Sequence, residues 1–186
     1  MSKINKTDID LFSNLSDAEF KLIQSSFTYE RKKKGEILIN ENTLVSHIFF
    51  IKTGLVKLSC FDHDNKECIL SFGFENWWET DFEAFYLQKK SNLQLQCIED
   101  TEILMLNHKD FLSLINVYQL SNYFLDKSIK GHIANQKRIV SLLTLDAKKR
   151  YEYFLDVYPT LVQRIPKSIL ALYLGVSRET LSRLYS

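Results

Sequence analysis

The spacing of apolar positions changes twice along the chain. Over residues 8 to 27 (DIDLFSNLSDAEFKLIQSSF) it predicts short helices. Ser16 is an N-cap with Glu19 three residues on, Leu15 can staple against Phe20, and Leu15, Ala18, Leu22 and Phe27 supply an apolar face. From residue 28 to 106, short runs rich in Ile, Val, Leu, Phe and Tyr alternate with turn residues every ~8–12 positions, the pattern of a β-sandwich or barrel. The predicted strands are 36–39, 47–53, 55–61, 67–74, 93–99 and 102–107. Lys52-Thr53-Gly54 and Asp62-His63-Asp64-Asn65 read as tight turns, because Gly and Asn/Asp supply the positive φ that hairpins require.

After Asn107 the period becomes helical. Residues 109–143 hold one Gly, Gly131, and no Pro, with Phe124, Ile129, Ile133, Val140 and Leu143 among the recurring apolar positions. This is too long for one ordinary helix and splits into a short one near 109–116 and a long one over 119–143. Asp146 opens a helix over 146–158, ended by Pro159, and 167–174 and 177–186 form a last helical pair around Gly175. The order is helices, β-roll, long helix and small helical module, an α+β arrangement without internal repeats. The expected divisions are 1–116, 117–143 and 144–186.

Composition adds bounds. The chain has 186 residues, 45% hydrophobic and 25% charged with five Gly and two Pro, which is globular rather than disordered or fibrous. Residues 1–10 carry Lys3, Lys6, Asp8 and Asp10 and no apolar run, so no signal peptide is read there. No apolar stretch approaches the ~20 residues of a membrane span, and a soluble, cytoplasmic protein without a membrane partner is expected. Cys60, Cys68 and Cys97 lie apart in strand-like runs, and an odd count without a CxxC pair predicts buried small hydrophobes rather than disulfides or zinc.

Charge is uneven. Residues 137–186 hold nine Lys/Arg and four Asp/Glu, a net +5, while residues 1–136 hold fifteen and nineteen, a net −4. A basic C-terminal third suggests a polyanion partner. Lys148, Lys149 and Arg150 as a solvated helix face explain the charge equally well.

The local pattern that carries chemistry is KSILALYLGVSRETLSR, residues 167–183. Ala171 lets two helices cross closely, Gly175 can take the left-handed conformation that ends the first, and Ser177 caps the second. Ile169, Leu174, Val176 and Leu181 are expected on the buried side. Arg178, Glu179, Ser182 and Arg183 are left outward at the start of the second helix, where side chains of a helix-turn-helix enter the major groove. Arginine can bind guanine O6/N7 through two hydrogen bonds, and glutamate can accept from cytosine N4.

SRETLSR closely resembles the recognition helix of the Crp/Fnr family of bacterial transcription regulators. Upstream, KKKGEILINENTLVSHIFFIKTGLVKLSCFDHDNKECILSF resembles that family's cyclic-nucleotide-binding β-roll, with Gly35 and Gly54 at its turns. The resemblance covers nearly the whole chain. It implies a double-stranded β-helix (jelly-roll) sensor domain, a long dimerisation helix and a C-terminal helix-turn-helix domain. It further implies a homodimer on a palindromic operator of double-stranded DNA, and RNA polymerase as a further partner. By position, Arg178, Glu179 and Arg183 would touch base edges with Ser182 as a further contact. Thr180 and Lys167 would meet phosphates, next to the cap Ser177. The spacing of Glu179, Ser182 and Arg183 looks more like the Fnr branch, with a TGA-containing half-site. The chain stops at Ser186, about ten residues into this helix, before the β-hairpin that often follows in the family, as in a compact or shortened variant.

The resemblance also shows a loss. The family's nucleotide pocket uses a Gly-Glu pair and, about ten residues on, an Arg-Ser pair. Thr80-Asp81 and Ser91-Asn92 stand there, so the phosphate would lack its strongest charge-assisted partner. No cyclic nucleotide, and no other cofactor, is therefore expected. The iron–sulfur cluster of the Fnr branch lacks its cysteines, because none precedes Cys60, and four scattered histidines (47, 63, 108, 132) make no haem or metal site. Trp77 and Trp78, with Phe82, Phe85 and Tyr86, either line a pocket for an apolar effector or, as favoured, fill the core. An interaction module without DNA binding is the competing function. Catalysis finds no nucleophile–base pair, P-loop or clustered ligands, so no enzyme is expected.

Overall fold

The computed structural model describes residues 4–13 and 15–184. Two short helices, α1 (Asp10–Ser13) and α2 (Asp17–Gln24), precede strands β1 (Phe27–Lys32), β2 (Ile37–Ile39), β3 (His47–Thr53), β4 (Val56–Phe61), β5 (Glu67–Gly73) and β6 (Trp77–Glu79). Helix α3 (Phe82–Leu87) interrupts the strands before β7 (Gln94–Cys97) and β8 (Thr101–Asn107). Helices α4 (His108–Leu114), α5 (Tyr118–Thr144), α6 (Ala147–Val157), α7 (Lys167–Leu174) and α8 (Arg178–Leu184) follow. The chain packs as two units, Met1–Cys60 with Ser71–Lys127, and Phe61–Leu70 with Ser128–Ser186.

In the first unit the strands form two four-stranded sheets, ordered β1-β8-β3-β6 and β2-β7-β4-β5. β8 is buried at Thr101, Ile103, Leu104 and Leu106 and pairs antiparallel with β1 (Phe27 opposite Leu106) and with β3 (Ile48 opposite Leu106). Gly54 turns β3 into β4 at φ +103°. A Cβ there would lie 2.6 Å from Thr101 Oγ1 and 2.7 Å from the Asp100 carbonyl oxygen, so only glycine fits.

The core of this unit is aromatic. Phe12 makes edge contacts with Phe20 and Phe27, and Trp78 lies against Phe27, Phe50 and Phe124. The Trp78 indole N–H donates to Tyr123 Oη at 3.0 Å, which satisfies the one polar atom of a buried ring. At α2 the expected capping box is present: Ser16 Oγ accepts the Glu19 N–H, and Glu19 accepts the Ser16 N–H at 2.8 Å. Its apolar face differs from expectation. Leu15 and Phe27 are buried, but Ala18 and Leu22 face solvent, and Phe20 and Ile23 pack on the core instead. The Phe12–Phe20 contact sets that rotation.

The strand 47–53 and the helix 167–174 of the final helical pair match their predicted limits, and the other predicted elements shift by a residue or two. β1, β6 and α3 were not foreseen. Cys97 is buried as expected, whereas Cys60 is half-buried and Cys68 exposed; all three are free thiols.

The second unit holds the β4–β5 hairpin tip, most of α5, and α6 to α8. At the tip, Asp62 Oδ1 accepts the N–H groups of Asp64 and Lys66, and Asn65 takes φ +58°. α6 starts at Asp146, whose carboxylate accepts the Lys149 N–H at 2.9 Å. Ile69, Tyr151, Phe154, Leu161, Ile165, Leu170, Ala171, Leu174 and Leu181 are buried apolar residues of this unit. No helix among the described residues is long and apolar enough to cross a membrane.

Candidate nucleic-acid interface and effector pocket

The C-terminal motif folds as two helices joined by a three-residue turn. Gly175 ends α7 at φ +66°, its N–H reaching the carbonyls of Ala171 and Leu172. The Val176 N–H also donates to Ala171 at 3.0 Å, a pair of bonds that closes the helix. Ser177 Oγ accepts the Thr180 N–H at 3.1 Å and lies 3.0 Å from the Thr180 hydroxyl. Thr180 thus spends its side chain on the cap of α8 and is half-buried.

Burial divides the two faces. Leu170, Ala171, Leu174 and Leu181 are buried, and Leu181 is fully so. Ile169 and Val176, expected inside, are only half-buried; Leu170 fills that place. Arg178, Glu179, Ser182 and Arg183 all lie exposed on α8, and Lys167 is exposed at the start of α7. The Glu179 carboxyl is held below its ordinary range by a backbone hydrogen bond at its own amide, then by Ser177, with Arg178 and Arg183 adding attraction. At neutral pH it is an ionised acceptor between two guanidinium donors. Tyr185 and Ser186, which the sequence assigned to the same helix, lie outside the described residues.

The basic face of α6 is loosely held. Lys148 lies 3.8 Å from Glu152 and Lys149 4.0 Å from Asp146, exposed pairs that add little stability. Along α5, Leu125, Ile129, Ile133, Val140 and Leu143 are exposed, Leu143 to 79%.

The residues at the pocket positions are satisfied by one another. Asp81 caps α3, its carboxylate accepting the Ala84 N–H at 3.0 Å and the Ser91 hydroxyl at 2.7 Å. Ser91 Oγ also accepts the Leu93 N–H at 2.9 Å, and Thr80 Oγ1 donates to the His47 carbonyl at 3.0 Å. Thr80, Asp81 and Ser91 are all buried, while Asn92 is exposed. The hydroxyl and carboxylate that stand for arginine and glutamate bond to each other. An incoming anion would meet a carboxylate there, which opposes it.

Of the aromatics near this site, Trp78 and Phe85 lie in the core. Trp77 is half-buried and stacks on Phe74 at 5.7 Å, and Phe82 and Tyr86 are exposed. Glu79, between Trp78 and Thr80, is fully buried, and that burial pushes its carboxyl up to about 7 against hydrogen bonds from Ser71 Oγ and the Thr80 N–H. Asp62, His63 and Asp64 bring three ligand-type atoms within 4.8 Å of one another at the hairpin tip. Their partners there are the turn amides and each other, as at the His63–Asp64 pair.

Residues 29–118 match the cyclic nucleotide-binding domain family. Solved structures extend the likeness beyond it. FixK2 from Bradyrhizobium japonicum shares 16% identity over 86% of this chain and 82% of its own, with a TM-score of 0.75. A protein from Eubacterium rectale assigned to the Crp/Fnr family of transcriptional regulators shares 18% over 95% and 84%, at 0.73. The catabolite activator protein of Thermus thermophilus shares 24% over 94% and 84%, at 0.57. The fold is that of Crp/Fnr regulators. A comparison with curated proteins gives no match.

Within residues 29–118, α3 with its cap Asp81 is one of the elements the sequence reading left unassigned. A signal for it was present, since Asp81 precedes Ala84 by three residues, the spacing of a helix cap. Glu79 carried no signal beyond being one charge in an aromatic run. Arg138, described below, carried none.

Proposed function

We propose that the protein is a dimeric, sequence-specific DNA-binding transcription regulator of the Crp/Fnr type, cytoplasmic, and indifferent to cyclic AMP. The observation that carries this reading is α8. Its buried Leu181 and capped start fix the helix, while Arg178, Glu179, Ser182 and Arg183 stand together on the exposed side. That side offers two guanidinium forks and one carboxylate, a donor–acceptor set suited to G·C-containing base edges. Lys167 and Ser177 would meet the phosphates beside it; Thr180 supports the cap.

The exposed apolar positions of α5 are suited to a second copy of the same helix, and a two-fold dimer would place two α8 helices on half-sites about 34 Å apart. The three parts are then a sensor-like roll at 1–116, a dimerising helix at 117–143 and a reading domain at 144–186. The internal hydrogen bonds of Thr80, Asp81 and Ser91 support indifference to cyclic nucleotides. RNA polymerase would be the partner of the DNA-bound dimer.

Selection of the purified protein against a random duplex library tests this. Enrichment of a palindrome with TGA-containing half-sites is expected. Recovery of no common sequence would return the helical tail to an interaction module.

A further inference from the structure

The Arg138 side chain sits at a junction within the second unit. Its Nη2 donates to the Ile69 carbonyl of β5 at 2.6 Å, and its Nη1 donates to the Tyr173 carbonyl of α7 at 3.0 Å. The guanidinium also lies over the Tyr173 ring, 3.6 Å from its centroid, and Phe154 of α6 packs edge-on against the same ring at 5.4 Å. One planar cation on α5 therefore touches β5 and α7, and through Tyr173 reaches α6.

Each contact has a physical reason. The last turn of a helix leaves carbonyls without intrahelical partners. At the end of α7 the amides of Gly175 and Val176 take the carbonyls of Ala171 and Leu172, and Arg138 takes that of Tyr173. A cation at a helix C-terminus is also favoured by the helix dipole. β5 is an edge strand of its sheet, and Ile69 offers its carbonyl to the guanidinium there. Lysine could not repeat this, because an ammonium is a point donor and the two carbonyls need a fork.

We propose that Arg138 is a positioning residue for DNA reading. It fixes the C-terminus of α7, and so the turn Gly175-Val176-Ser177 that aims α8, to the long helix and to the β4–β5 hairpin tip. The hairpin tip thereby becomes part of the support of the reading head. This rests on the function proposed above.

The test uses the full-length protein, Arg138→Lys and Arg138→Met, and Lys167→Ala for comparison. Each is titrated against a selected palindrome and a random duplex at several salt concentrations, and its dimer state and thermal unfolding are recorded. Arg138→Lys is expected to lose roughly tenfold or more in palindrome affinity, the scale of one charge-assisted hydrogen bond. Its salt slope should equal that of the wild type, since no phosphate contact is removed, and Arg138→Met should lose more. Lys167→Ala should instead flatten the slope by about one counterion. Hydrogen exchange at residues 173–178 should quicken in both Arg138 variants while the amides of β3 and β8 keep their protection. A selective wild type with unchanged Arg138→Lys affinity overturns the role of Arg138 alone. A flattened slope shows that Arg138 binds phosphate directly and overturns it too. A wild type that does not distinguish the duplexes overturns the function, and this role with it.

Discussion

Replacing Gly175 with Ala separates the two reasons a glycine can be required. At φ +66° an L-residue in the left-handed region costs roughly 1–2 kcal/mol. Alanine also narrows the unfolded ensemble, which returns about 0.4–1 kcal/mol. The new Cβ would lie 3.8 Å from Leu142 Cδ2, an ordinary contact, so no clash is added. The net cost should be about 1 kcal/mol. Gly54→Ala differs, since its Cβ would fall 2.7 Å from the Asp100 carbonyl oxygen and from Thr101 Cα, backbone atoms that cannot turn aside. Strain of that kind should cost more than about 3 kcal/mol. Both tryptophans, Trp77 and Trp78, lie in the first unit, so urea unfolding followed by tryptophan fluorescence reads Gly54→Ala. Far-UV circular dichroism, which sees α6 to α8 as well, reads Gly175→Ala. A Gly175→Ala protein at least as stable as the wild type, or a Gly54→Ala protein no less stable than Gly175→Ala, would refute this reasoning.

Three further outcomes follow from the same contacts. Burial raises the Glu79 carboxyl from 4.5 to about 7, so the folded state holds a proton that the unfolded state has released across that window. Stability is therefore undiminished by this group below about pH 4.5 and falls as pH rises to about 7. Glu79→Gln should match the wild type at pH 4 and exceed it at pH 8 by an amount on the order of 3 kcal/mol, read by urea unfolding at both values. Asp81→Ala removes the cap of α3 and the partner of Ser91, and should lower stability by about 1–2 kcal/mol in the tryptophan-detected transition; no loss would show that the cap is idle. Glu179→Ala and Arg183→Ala should each reduce discrimination between the palindrome and a single-base variant by about 1–3 kcal/mol in competition binding, leaving non-specific affinity nearly level.

Several elements were legible because their signals are local. The cap Ser16 with Glu19, the turn at Gly54 and the α7–Gly175–Ser177–α8 unit each depend on residues within a few positions of one another. The strand β3 was readable because it holds the unbroken apolar run Ile48-Phe49-Phe50-Ile51 and glycine follows. β6 escaped because it is three residues long and its Trp-Trp-Glu has no alternation of polarity to read, since Glu79 is as buried as Trp78. β1 escaped because most of its residues are polar, Phe27 alone is buried, and its strand partner lies far away in sequence. The face of α2 was misassigned because helical spacing alone allowed either Leu22 or Ile23 inward, and the aromatic neighbour Phe12 decided it.

The candidate sites divide in the same way. The outward set on α8 was readable from one heptad of sequence. The substitution of Asp81 and Ser91 was readable by resemblance, but their mutual hydrogen bond was not, since it joins residues ten apart across a helix. Arg138 and its two carbonyls span 69 and 35 positions, which no periodicity encodes.

The central claim is that the exposed face of α8 reads a palindrome without help from a cyclic nucleotide. A fluorescence-anisotropy titration of the full-length protein tests it most directly, comparing a TGA-containing palindrome with random duplex at two salt concentrations, with and without cyclic AMP. The account predicts tight binding to the palindrome, weaker and more salt-sensitive binding to random duplex, and identical curves with and without the nucleotide. Equal, salt-abolished binding to both duplexes, or selectivity that appears only with cyclic AMP, would contradict it.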